Sequence, residues 1–91
     1  MRVKEVIVIE KGEPSVIYIG AVMKTTKWRE LLGFQIYVFK ANQPKPVDKA
    51  EGRLLIDHIF DTEKDAFKQG EKIVREQLRQ ISRMHSRQRK T

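Results

Sequence analysis

Residues 61–83 read DTEKDAFKQGEKIVREQLRQISR, and this stretch organises the rest of the chain. Ala66, Phe67, Gly70, Ile73, Val74, Gln77, Leu78, Ile81 and Met84 recur at steps of three and four, which collects them on one face of an α-helix turning about 100° per residue. Lys64, Lys68, Lys72, Arg75, Arg79 and Arg83 recur with the same step and centre roughly 180° away on the wheel. One face suits a core, and the opposite face is a basic stripe. Asp61 or Thr62 caps the helix start, with Thr62 and Asp65 close to a capping box. Asp61, Glu63 and Asp65 sit where the helix dipole favours negative charge. No Gly or Pro marks the far end, so fraying is expected through HSRQRKT, residues 85–91.

The segments before the helix read as strands. Residues 3–9 are dominated by β-branched side chains between charged flanks, Gly12 and Pro14 supply turn chemistry, and residues 15–23 form a second β-branched run. An antiparallel hairpin with a loop of about four residues is expected. Val6 to Ile9 and Val16 to Ile19 are apolar without a break, so both faces of this hairpin call for cover, one of them from a second subunit. Residues 24–32, KTTKWRELL, suit either a loop or a short helical turn over 25–32 capped by Thr25 or Thr26 and ended by Gly33. Residues 34–40 alternate as a third strand, 41–52 form a Pro-containing surface loop, and 53–60 alternate as a fourth strand, Leu54, Ile56, His58 and Phe60 against Leu55, Asp57 and Ile59.

The fold class that follows is α+β: an antiparallel sheet of about four strands with one long C-terminal helix across one face through Phe67, Ile73, Val74 and Leu78. Ninety-one residues suffice for one thin two-layer domain, set here at residues 1–84 with a basic tail at 85–91. There are no cysteines, hence no disulfide framework and no thiolate metal site. No apolar run approaches the roughly 18 residues of a membrane span, and the amino end lacks a cleavable leader; a soluble, cytoplasmic protein with no membrane partner is expected.

The net charge of +7 is uneven. From Lys72 to Thr91 seven basic residues face Glu76 alone, giving +6, whereas residues 1–71 carry twelve basic residues against eleven acids, giving +1. Catalytic constellations are absent from the pattern. Asp57 and His58 are strand neighbours pointing to opposite faces, which suits a partly buried strand histidine better than a site. His85 and Ser86 lie in the tail, and the carboxylates of Asp61, Glu63 and Asp65 are explained by the helix start. No phosphate loop and no metal-ligand spacing occurs, so neither enzyme activity nor a cofactor is expected.

The stripe offers a sharper reading: Lys64, Lys68, Lys72, Arg75, Arg79 and Arg83 along a DNA or RNA phosphate backbone, extended by Arg87, Arg89 and Lys90. From Arg75 onward five of the six basic residues are arginine, the type that makes forked phosphate contacts. Trp28 among Lys24, Lys27 and Arg29 has the interleaving that stacks unpaired bases, although an aromatic at an element junction also suits a core. Against these stand a plain solvated face, helped by Glu71, Asp65 and Glu76, and a helix that docks an acidic protein. The functional expectation is a non-enzymatic nucleic-acid-binding or regulatory accessory protein, with the acidic-partner module as alternative. Ile81 and Met84 continue the apolar face beyond the reach of the sheet, which points to a homodimer.

GFQIYV (residues 33–38), the long loop with its returning strand, and HIFDTEKDAFKQGEKIV (residues 58–74) resemble small bacterial domains in which a sheet is followed by one helix, such as the hemolysin-transcriptional-activator-like family. The resemblance covers residues 33–80 and implies a sheet-plus-helix fold with a regulatory role. It carries over no functional residue.

Overall fold

The computed structural model describes the backbone of residues 1–89 and the side chains of residues 1–77. Expectations placed on Leu78, Arg79, Ile81, Arg83, Met84, His85, Ser86, Arg87, Arg89 and Lys90, and the tail boundary after residue 84, lie outside the described side chains. Four antiparallel strands, β1 (Arg2–Glu10), β2 (Glu13–Thr25), β3 (Leu31–Val38) and β4 (Arg53–Leu54), form one sheet in chain order, and α1 (Glu63–Arg89) crosses it. The fold is α+β, with a single 3-10 turn at Lys49–Glu51 among the described residues.

The first hairpin is tighter than its Gly and Pro suggest. Glu10 pairs with Glu13, so the turn is Lys11 and Gly12 alone, both with positive φ (51° and 80°), as a two-residue hairpin turn that matches strand twist requires. Pro14 belongs to β2, opposite Ile9. Its missing N–H does no harm, because that position faces away from β1 and β3 pairs with β2 only from Ile19 onward.

Residues 24–32 contain no helix. Thr25 pairs with Leu31, and between them the Arg29 amide donates to the Thr26 carbonyl (2.9 Å) and the Thr26 amide to the Glu30 carbonyl (2.9 Å), with Arg29 at φ 64°. This is a type I turn followed by a left-handed residue, the common three-residue hairpin loop. The Thr26 hydroxyl accepts from the Trp28 and Glu30 amides (3.2 and 3.1 Å), so the threonine that would have capped a helix stiffens a turn instead.

The fourth strand is much shorter than residues 53–60. The Leu55 amide donates to the Ile36 carbonyl, and Phe34 and Phe60 then exchange two hydrogen bonds of 2.8 Å. Two steps along β3 therefore face five along the returning chain, and about three residues are extruded, with the His58 amide folded back on the Ile56 carbonyl (3.0 Å). His58 is consequently exposed, edge-on to the Phe60 ring at 4.6 Å, and is not the half-buried strand histidine expected. Gly33 (φ 147°) makes the closure possible, since a Cβ there would meet the Phe60 carbonyl oxygen.

Alternation assigns the faces. Val6, Val8, Ile17, Ile19, Ala21, Ile36, Leu55 and Phe60 lie under α1 and are buried with its Ala66 and Val74. Gly70 sits at the closest approach: a Cβ on it would be 2.7 Å from Ile36 Cγ1. Small residues thus hold the centre of the contact, while Phe67 and Ile73, expected as its anchors, are half-buried at its flanks. Gln77 is exposed although its place on the wheel is apolar, because the sheet no longer lies beneath that turn. Thr62 is the cap: its Oγ1 accepts from the Asp65 amide (3.1 Å) and its carbonyl from the Ala66 amide (3.1 Å).

The loop 40–52 is tied down at both ends. The Asn42 amide donates to the Val16 carbonyl (2.8 Å) and its Oδ1 accepts from the Val16 amide (3.0 Å), prolonging the ladder beyond β3. Glu51 Oε2 accepts from the Val47 and Asp48 amides (2.9 and 3.0 Å), completing a capping box with Asp48. The Asp48 and Val47 amides hold the Glu51 carboxyl below its ordinary value.

Candidate nucleic-acid interface

The basic face of α1 runs beside the free edge of the sheet, and β1 contributes to it. Even-numbered residues of β1 share the helix side with Val6 and Val8, so Arg2 and Lys4 rise beside α1. Arg2 Nη1 lies 3.3 Å from Glu63 Oε1, and Lys4 Nζ 2.8 Å from Glu71 Oε2. Lys4, Lys64, Phe67, Lys68, Glu71, Lys72 and Arg75 line one shallow groove.

Glu71 is the pivot of this surface. It accepts from Lys4 and, through Oε1, from Arg75 Nη2 (3.1 Å), one turn on. The Lys4 ammonium and then the Arg75 guanidinium hold its carboxyl below the ordinary value, so it is ionised at neutral pH. Arg75 Nη1 also donates to the Ile7 carbonyl (3.0 Å). Ile7 faces Val16 in a pair whose backbone groups point away from β2, so this carbonyl belongs to the open edge, which Arg75 covers.

Sequence-predicted residues therefore separate into three groups. Lys64, Lys68 and Lys72 are exposed and, among the described residues, take part in no ion pair. Arg75, unlike these lysines, is bonded to Glu71 and to the Ile7 carbonyl; its tether exists only because the fold brings residue 7 beside residue 75. Arg79, Arg83, Arg87, Arg89 and Lys90 lie outside the described side chains. Arg2 and Lys4 were missed, although the phase of Val6 and Val8 along β1 is a signal that could have placed them.

Trp28 is 78% exposed at the apex of the β2–β3 turn, with Lys27 Nζ 5.8 Å from its ring centre; the core role is overturned. It is not part of the groove. Arg2, at the groove's near end, pairs with Ala21, and Trp28 lies beyond Thr25, about 13 Å further along β2. Asp65 faces elsewhere, lining a shallow hollow with Ile56, His58, Phe60, Gln69 and Ile73.

Among the described residues no three His, Cys, Asp or Glu side chains form a metal-binding group, and no helix is long and apolar enough to cross a membrane. No family model, curated protein or solved structure matches this chain.

Proposed function

We propose that the groove between α1 and β1 binds the phosphate backbone of a nucleic acid, and that the protein is a non-enzymatic accessory factor. One observation carries the reading: six cations, Arg2, Lys4, Lys64, Lys68, Lys72 and Arg75, come from two elements to one surface that also holds the acids Glu63 and Glu71, with Glu76 one turn beyond Lys72. The excess of +3 is displayed along one side of the molecule, where it raises the local concentration of a polyanion. Lys64, Lys68 and Lys72 are the groups free to release counterions on binding. The five basic residues from Arg79 to Lys90 extend the same run in sequence.

A second reading, docking of an acidic protein, is favoured by half-buried Phe67 in the groove, an apolar contact among cations that a phosphate backbone does not use. Fluorescence anisotropy with duplex DNA, single-stranded DNA and RNA at two salt concentrations tests the first reading. Affinity should fall steeply with salt, and changing Lys64, Lys68 and Lys72 together to Gln should flatten log affinity against log salt by up to about 3. Absence of binding to all three probes at low salt would leave the acidic-protein reading standing.

A further inference from the structure

The side of the sheet turned away from α1 is nearly as apolar as the side beneath it. Reading across the register from the β1–β2 turn, its rows are Ile9 with Pro14; Ile7 with Val16; Glu5 with Tyr18; Val3 with Gly20, Tyr37 and Leu54; Val22 with Gln35; and Lys24 with Gly33. Phe39 adds its ring, lying 3.2 Å from a Cβ placed on Gly20, and is buried. A sheet with one solvated face alternates apolar and polar residues. Here Ile7 and Ile9 are 53% and 66% exposed, while Val3, Val16, Tyr18, Val22 and Tyr37 are half-buried. The loop after Phe39 shelters the β3 side of this face and leaves the β1–β2 side bare.

We infer that this outer face is the contact surface for a second copy of the chain, sheet against sheet about a two-fold axis. Charge selects the occupant. Glu5 and, in the end row, Lys24 are the only ionised side chains in those rows, which leaves eighteen Lys and Arg against the other eleven acids, +7, on the rest of the molecule. Contact through the groove or the β1 edge would set Arg2, Lys4, Lys68 and Arg75 of two copies together, and the Arg75 bond to Ile7 already obstructs that edge. The outer face is the broad surface on which two such cations meet without repulsion. Its size is adequate: about 25 by 15 Å, with side-chain relief, offers on the order of 600 Å² per copy, hence roughly 1,200 Å² in total, the lower end of stable interfaces. Aligned sheets pack about 10 Å apart with their apolar side chains interdigitated. An isologous contact of this kind is closed, and leaves α1 and its groove outward on both copies.

The test is sedimentation at micromolar concentration of wild type beside Ile7→Glu, Ile9→Glu. Both side chains are largely exposed in the single chain, so circular dichroism should show an unchanged fold. Wild type should be dimeric, and the double variant's dissociation constant should rise roughly tenfold or more. The variant Ile81→Glu, Met84→Glu should leave the dimer intact. Because the chain has no cysteine, Ile9→Cys supplies a second readout that adds no charge: maleimide labelling should slow as protein concentration rises. A monomeric wild type overturns the inference, including one that associates only with a different protein. So does a dimer dissolved by the Ile81 and Met84 changes and untouched at Ile7 and Ile9.

Discussion

Arg75 Nη1 donates to the Ile7 carbonyl at 3.0 Å, a bond between residues 68 apart in sequence that joins the exposed face of α1 to the open edge of the sheet. A guanidinium bound to a backbone oxygen on one side and to Glu71 on the other is a structural tie before it is a ligand. Arg75→Ala should cost about 1 kcal/mol in a denaturant titration. Arg75→Gln should alter the salt slope of nucleic-acid binding less than Lys68→Gln does. An Arg75 effect on the slope as large as that of Lys68 would show that the tie opens on binding.

Glu71 makes the same region pH-sensitive. Its carboxyl is held below the ordinary value by Lys4 and then Arg75, so it titrates lower folded than unfolded. The stability it contributes is present above the unfolded value and is lost as pH falls through the folded one. With its partners about half exposed to solvent, Glu71→Gln should cost about 1 kcal/mol or less at neutral pH. The difference between wild type and variant should vanish under acid conditions that protonate the carboxyl. A difference independent of pH would mean that packing, not charge, is lost.

Gly70→Ala sets two effects against each other. Alanine gains about 1 kcal/mol of helix propensity. Its Cβ would stand 2.7 Å from Ile36 Cγ1 and 3.4 Å from Ile19 Cδ1, and both isoleucines are fully buried. Overpacking of this kind costs about 1 to 3 kcal/mol, so net destabilisation is expected. A variant more stable than wild type would place α1 further from the sheet.

Arg29 holds φ 64° in the β2–β3 turn, where any side chain costs about 1 to 2 kcal/mol relative to glycine. The greater freedom of glycine in the unfolded chain offsets about half of that. Arg29→Gly should therefore raise stability by about 0.5 kcal/mol, read as a higher denaturant midpoint with unchanged slope. A fall in stability would indicate that the guanidinium makes a contact worth more than the strain.

Local chemistry was legible where one physical effect acts alone. The four-residue spacing of Ala66, Gly70 and Val74 specified both a helix and its buried face, and Thr62 announced the helix start, because periodicity and capping depend on near neighbours. The β-branched runs specified β1 and β2, and their unbroken apolarity signalled two apolar faces. What needed the tertiary structure were outcomes in which distant parts compete. Thr26 can cap a helix or stiffen a turn, and it was the pairing of Thr25 with Leu31 that chose. The alternation from Leu54 to Phe60 is that of a strand, yet the bonds between Phe34 and Phe60 extrude its middle and expose His58. In sequence Arg75 is indistinguishable from Lys68 on the stripe. Only the fold brings the unpaired carbonyl of Ile7 within its reach, since a charged group's role depends on which partners the folded chain sets within a few ångströms.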